Sequence, residues 1–379
     1  MKSLRLKKIL RNVHLILGLA FCVTIAIVGV TGALYSYADD IRDYERAAYI
    51  SSRKTAKPLS VEEISARFLE QKPDASIRFF SVRRLKDDLK SIGVSAAQNG
   101  AFGYYELNPY SGEIITDGLK SDKFFAGAMI FHRFLNFDGM SVVGKQIVAA
   151  TTIAIIVISI AGILLYLPLL RRNFLRNLTI DFKSKGYKFL YQLHCVLGVF
   201  TLIFVLIMCF TGLWWSYGWY RGLLSSLAGV ENMGFPRGER REMQIASPKE
   251  LQRVVDTASE AIDGVKMYYI RVPFKDDPYE LSYSNDRYGA YNLLKIDVQE
   301  GVIVSQEPYA EKTTGQKLIQ NMYTLHSGQF FGEFGKAAMC LSSLAMALFS
   351  VSGAMMFYGR MRRKRRALRT PKRATSSQF

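Results

Sequence analysis

Apolar residues gather in four uncharged runs, at 15–37, 147–170, 193–217 and 337–358. Each run exceeds 20 residues. At about 1.5 Å per helical residue, each reaches across a hydrocarbon layer of about 30 Å. The pattern predicts four membrane-spanning helices and rules out a single water-soluble globule. The long segments between them behave differently. Residues 59–70 and 247–263 have helical periodicity, each with a Ser ahead of it and a Glu about three residues on, the mark of a capping box. Alternating stretches follow at 76–82, 102–109, 265–272 and 291–298, with turn residues such as Gly112 and Gly301 after them. Each long segment therefore predicts a helix packed on its own small antiparallel sheet. The layout is a basic segment 1–14, the four spans, outer domains at 38–146 and 218–336, a loop at 171–192 and a basic tail at 359–379.

Charge sets the expected orientation. The 379-residue chain has 50 Lys and Arg against 32 Asp and Glu. Segments 1–14, 171–192 and 359–379 hold five, six and nine basic residues, with Asp181 as their one acid. The rest of the chain is nearly balanced, at 30 basic and 31 acidic residues. The excess thus sits beside spans, on every second connection, which is the positive-inside pattern. It predicts cytoplasmic termini and a cytoplasmic 171–192 loop in a bacterial inner membrane, with the two domains in the periplasm. A nucleic-acid-binding role is not needed to explain the basic tail. The first apolar run exceeds the 7–15 residues of a signal peptide and reads as a retained span.

The chain also repeats itself. At an offset of 180, His14, Gly18, Thr31-Gly32 and Ser36-Tyr37 match His194, Gly198, Thr211-Gly212 and Ser216-Tyr217. At an offset of 191, Gly144-Lys145, Gly162 and Arg171 match Gly335-Lys336, Gly353 and Arg362. Two copies of a span–domain–span unit, both starting on the same side, make parallel repeats.

There are four histidines in all: His14, His132, His194 and His326. The predicted topology puts His14 and His194 at the cytoplasmic ends of the first and third spans. His132 and His326 come just before the second and fourth, on the outer side. Each face thus receives one histidine from each copy. Imidazole is a common ligand of haem iron and of other metals. Two facing imidazoles can hold an iron porphyrin from both sides. A proton or metal-ion path and a structural role are the other readings. Gly18 lies one turn from His14, and Gly32 lies 18 residues on, or five turns. This puts them on one stripe, as it does Gly198 and Gly212 from His194, with room for close helix packing or a flat macrocycle.

Other chemistries lack their signatures. The four cysteines, Cys22, Cys195, Cys209 and Cys340, all fall in apolar runs, so disulfides do not staple the outer domains. There is no Cys-x-x-Cys-His for covalent haem and no Cys/His zinc spacing. There is no Gly-rich dinucleotide fingerprint and no Walker sequence, so a reductant must come from elsewhere.

These residues resemble the PepSY-associated transmembrane family, and within it the inner-membrane ferrisiderophore reductases of the ferrioxamine type. The likeness is carried by His14 with Gly18 and Thr31-Gly32, and by His194 with Gly198 and Thr211-Gly212. It extends to FHRFL at 131–135, LHSGQFFG at 325–332, the Ser-Gly turns ending at Gly162 and Gly353, and the PepSY-like segments NPYSGEI and DVQEGVI. The resemblance implies a mainly α membrane protein with two small α+β PepSY-like periplasmic domains. It implies two haem b groups, one on His14 and His194 towards the cytoplasm and one on His132 and His326 towards the periplasm. The implied activity is an oxidoreductase that carries electrons from a cytoplasmic or quinol donor to a periplasmic ferric siderophore, releasing ferrous iron. Arg133 would meet a haem propionate or the substrate. An iron-chelate permease or a PepSY-type regulator of an envelope protease is the alternative.

Overall fold

A computed structural model describes residues 2–369, apart from 55–56, 86–88, 116–118, 137–138, 140, 231–242, 260, 263, 276 and 287–288. The chain divides into two compact units. A helical unit holds the residues up to Ser36, Ala128–Ser216 and those from Phe334 on. A sheet-bearing unit holds Tyr37–Gly127 and Tyr217–Glu333.

Among the described residues, four helices are long and apolar enough to cross a membrane: Cys22–Ser51, Val142–Arg172, Tyr187–Ser216 and Gln329–Arg366. The first apolar run, read as one span over 15–37, is shared between the helices Lys2–Ala20 and Cys22–Tyr35. They meet at Phe21, whose ψ of 8° leaves the helical range, yet hydrogen bonds into and out of Phe21 keep the ladder going. In the middle of the helical unit, Ile25, Ile155, Val205, Cys209 and Met346 form a buried cluster with a contribution from every span. The first and second spans also share a hydroxyl pair, Thr24 to Thr151 at 2.9 Å. Between the first and fourth spans a Cβ on Gly29 would come within 2.6 Å of the Ser343 carbonyl oxygen. Only glycine permits that approach.

The sheet-bearing unit has strands β1 (Ser76–Arg84), β2 (Lys90–Gln98), β3 (Ala101–Leu107), β4 (Met267–Arg271), β5 (Tyr279–Ser284), β6 (Asn292–Asp297) and β7 (Val302–Glu307), of which β1, β3, β4 and β6 fall on the four alternating segments. Two separate sheets were expected; the structure has one. Its order is β3-β2-β1-β4-β5-β6-β7, antiparallel throughout, with β1 and β4 joined at its centre. The reason is physical: β1 and β4 would each be the bare edge of a three- or four-stranded sheet. Pairing Phe80 with Ile270 and Val82 with Tyr268 satisfies both edges at once. Two helices, Val61–Gln71 and Pro248–Ala258, pack on one face and on each other. Both carry the expected capping box, Ser60 with Glu63 and Ser247 with Glu250. Between helices and sheet lie Phe68, Phe80, Leu251 and Ile270, fully buried. Burial of each contributes roughly 1.5–3 kcal/mol.

The other conspicuous feature of this unit is a buried ion network. Arg46, 5% exposed, reaches Glu106 at 3.0 Å, Asp122 at 3.1 Å and Asp43 at 3.5 Å. Arg42 forms an ion pair with Asp122 at 3.0 Å, and Arg83 one with Asp43. Ser91 and Tyr104 donate to Glu106, each at 2.7 Å. Desolvation of its hydroxyl, and then the Glu106 carboxylate, raise the Tyr104 phenol above its usual range, so it remains a donor. The network ties helices Ala38–Ser51 and Lys120–Phe134 to β2 and β3. Removing its central cation would take one positive charge from the three carboxylates it bridges, Asp43, Glu106 and Asp122. Arg46→Ala is expected to cost about 3–5 kcal/mol. The reading is a lowered unfolding midpoint of the detergent-solubilised chain, and an unchanged midpoint would mean the network adds nothing to stability.

Candidate functional site

His14 projects from helix Lys2–Ala20 and His194 from the third span. Their ring centroids are 6.1 Å apart, with planes at 70°. Each ring has its Nδ1 tied to a neighbouring span. His14 Nδ1 lies 2.9 Å from the carbonyl oxygen of Ile158, on the second span. His194 Nδ1 lies 2.8 Å from Ser352 Oγ, on the fourth. When Nδ1 carries the proton to such a partner, Nε2 is the bare ligating nitrogen.

Glycines make the room. A Cβ on Gly162 would lie 3.1 Å from Cε1 of His14, and one on Gly353 would lie 3.8 Å from Cε1 of His194. So each histidine ring rests over a glycine of the span that holds it. Gly18 and Gly198 do something else: a Cβ on either meets nothing within 4 Å. They face a cavity of about 420 Å³ lined by both histidines, by Gly162 and Gly353, and elsewhere mainly by apolar side chains. That volume is within the usual range for small-molecule and cofactor sites, about 300–1,000 Å³. Lys7, Arg11 and Arg360 supply positive charge at its lining.

His132, on helix Lys120–Phe134, is held the same way. Its Nδ1 lies 3.1 Å from the Val28 carbonyl and 3.2 Å from Thr31 Oγ1. The Thr31 hydroxyl itself donates to the Ile27 carbonyl at 2.7 Å, which leaves its lone pair to receive the imidazole N–H. Gly32 is the glycine beneath this ring, with its Cβ position 3.1 Å from His132 Cε1. This changes the reading of the glycine stripe. Gly18 opens onto the His14–His194 cavity, whereas Gly32 serves His132 further along the chain. Gly212 is half-buried near the end of the third span, where Thr211 repeats the Thr31 bond by donating to Ile207 O at 2.6 Å. Arg133 is exposed, its guanidinium 5.2 Å from the Phe134 ring centre. His326 belongs to the other unit, on the short helix Met322–Ser327 that ends at Gly328 with φ +81°.

The spacing of His14 and His194 is that of two imidazoles on one metal ion. Two metal–imidazole bonds of about 2 Å, with about 1.1 Å from each nitrogen to its ring centre, span close to the observed 6.1 Å. Among the described residues no group of three or more His, Cys, Asp or Glu could hold a metal ion. A donor set of two imidazoles suits an iron that brings its other four nitrogens with it.

The sequence placed the histidines and the glycines of the odd-numbered spans. It did not reveal the Ile158 carbonyl, the Ser352 hydroxyl or the contacts of Gly162 and Gly353, because nothing in the residue order fixes which turn of a neighbouring span faces a ring. The histidine-to-glycine matching between odd and even spans was the available signal.

Residues 11–360 match the model of the PepSY-associated TM region family, and the chain belongs to that family. It is a membrane protein of the PepSY-associated class. No curated protein matches the chain significantly.

The glycines separate into two kinds by experiment. Gly162→Ala drives a methyl against His14 and is expected to cost about 1–3 kcal/mol. Gly18→Ala adds its methyl to open space and gains up to about 1 kcal/mol of helix propensity. Thermal unfolding of the two solubilised variants checks this, and equal midpoints would refute the distinction.

Proposed function

We propose that the chain is a di-haem b reductase of the bacterial inner membrane that carries electrons from the cytoplasmic side to a ferric siderophore in the periplasm. The observation that carries the reading is the His14–His194 pair: two imidazoles 6.1 Å apart, each with Nδ1 engaged, beside a glycine-walled cavity. A haem held there by His14 and His194 would supply one-electron redox chemistry.

The residues of the chain do the rest. His14 and His194 bind, and Ile158 and Ser352 orient them. Gly18 and Gly198 leave space for the ring. The apolar walls exclude water and so govern redox potential. Lys7, Arg11 and Arg360 offer cations to the carboxylates of a porphyrin edge. The second haem rests on the sequence pairing of His132 with His326. Its support is the clamped geometry of His132, which repeats that of the inner pair. Termini in the cytoplasm follow from the basic flanks. Reduction would favour release because ferrous iron suits hard oxygen donors less than ferric iron does. The donor would be a quinol or a cytoplasmic protein.

Protein purified after haem-replete expression is expected to show a b-type spectrum on reduction and close to two haems per chain. The double variant His14→Ala/His194→Ala is expected to keep about half of that haem. Wild-type protein that is folded but free of haem would end the reductase reading. Uptake of a labelled iron chelate into proteoliposomes without any reductant would point to a permease instead.

A further inference from the structure

We propose that Ser352 is a positioning residue for His194: its hydroxyl stands between the imidazole and the helix backbone and fixes which ring nitrogen bears the proton. The proposal deepens the haem reading of the His14–His194 cavity and rests on it for its role in binding.

The argument comes from comparing the two halves of the site. The offset of 191 sets Ile158 against Phe349, Ala161 against Ser352 and Gly162 against Gly353. On the second span, His14 bonds the Ile158 carbonyl directly, at 2.9 Å. On the fourth span the corresponding carbonyl belongs to Phe349, and His194 bonds Ser352 Oγ instead, at 2.8 Å. The Ser352 hydroxyl in turn donates to the Phe349 carbonyl at 3.4 Å. The same end point is thus reached through one added oxygen. Ala161 has no group that could do this.

Ring placement agrees. The nearest glycine Cβ position is 3.1 Å from His14 but 3.8 Å from His194. The imidazole with a hydroxyl beneath it stands further off its span. Ser352 is buried, at 3% exposure, so no solvent competes for the bond.

In the proposed arrangement the hydroxyl hydrogen goes to Phe349 O, 3.4 Å away, and the oxygen faces His194 as an acceptor. His194 Nδ1 must then carry the proton, and Nε2 is left bare for a metal. A hydroxyl is a weaker acceptor than a peptide carbonyl, so the two axial ligands of one iron would be unequal, His14 the more electron-rich. Without Ser352, His194 would reach the Phe349 carbonyl only by closing its 3.8 Å stand-off from Gly353 towards the 3.1 Å seen for His14; held at its present distance, the Nδ1–H has no partner, and the tautomer with Nε2 protonated, which cannot ligate, becomes populated.

The test uses the full-length chain labelled with 15N-histidine, which has four histidines to resolve. In haem-free protein the wild-type His194 signal is expected to be that of the Nδ1-protonated form. Ser352→Ala is expected to shift it towards the Nε2-protonated form, with the other three signals unmoved as the control for folding. Ser352→Thr, which keeps the hydroxyl, is expected to restore the wild-type signal. An unmoved His194 signal in Ser352→Ala would overturn the proposal, whether or not haem binds. In haem-loaded protein the same variant is expected to lose affinity about ten-fold. Failure of wild-type protein to take up haem at all would count against the proposed function alone, because the tautomer measurement stands without it.

Discussion

An imidazole buried among apolar helices must give its N–H to something, and in this chain the giving fixes everything else about the site. His14, His194 and His132 each engage Nδ1 with a group on a neighbouring helix. The cost of leaving a buried donor unmet, about 1–3 kcal/mol, is enough to choose both ring orientation and tautomer. Each such bond also demands close approach of the ring to a helix. That is why glycine lies beneath all three rings. Side chains, glycines and spans are thus one arrangement, in which the polar bond sets the geometry and the missing Cβ atoms permit it.

The sheet-bearing unit solves the opposite problem. There the buried charges come in matched sets, three arginines with Asp43, Glu106 and Asp122, and the apolar core lies apart from them under two helices. These charges are concentrated where counter-ions and hydrogen bonds can satisfy them. The same chain therefore handles buried polarity in two ways, by single N–H bonds in one unit and by a closed ion network in the other.

Much of this was legible in the residue order. Spans read from hydropathy because length and apolarity alone decide them. Both capped helices read from Ser60 with Glu63 and Ser247 with Glu250, since the cap is a local bond. The histidines read from their scarcity and symmetry. What did not read was non-local. β2, with Gly93 and small residues in KSIGVSAAQ, lacks a strong strand signature and takes its conformation from β1 and β3. The union of β1 with β4 depends on two segments more than 180 residues apart, and no periodicity reports a partner that distant. The stripe that Gly32 shares with His14 read from periodicity, but its contact with His132 did not, because periodicity tells which face a residue is on, not what stands opposite.

The β1–β4 seam also imposes an order of events on biosynthesis. β1 emerges with the first half of the chain, but its hydrogen-bonding partner lies beyond the second and third spans. Until both have been made, β1 presents a row of unmet backbone groups of the kind that recruits foreign strands. Completion of this sheet therefore waits on membrane insertion of the middle of the molecule. A nascent chain stalled before β4 would be a candidate for chaperone capture or aggregation through that open edge.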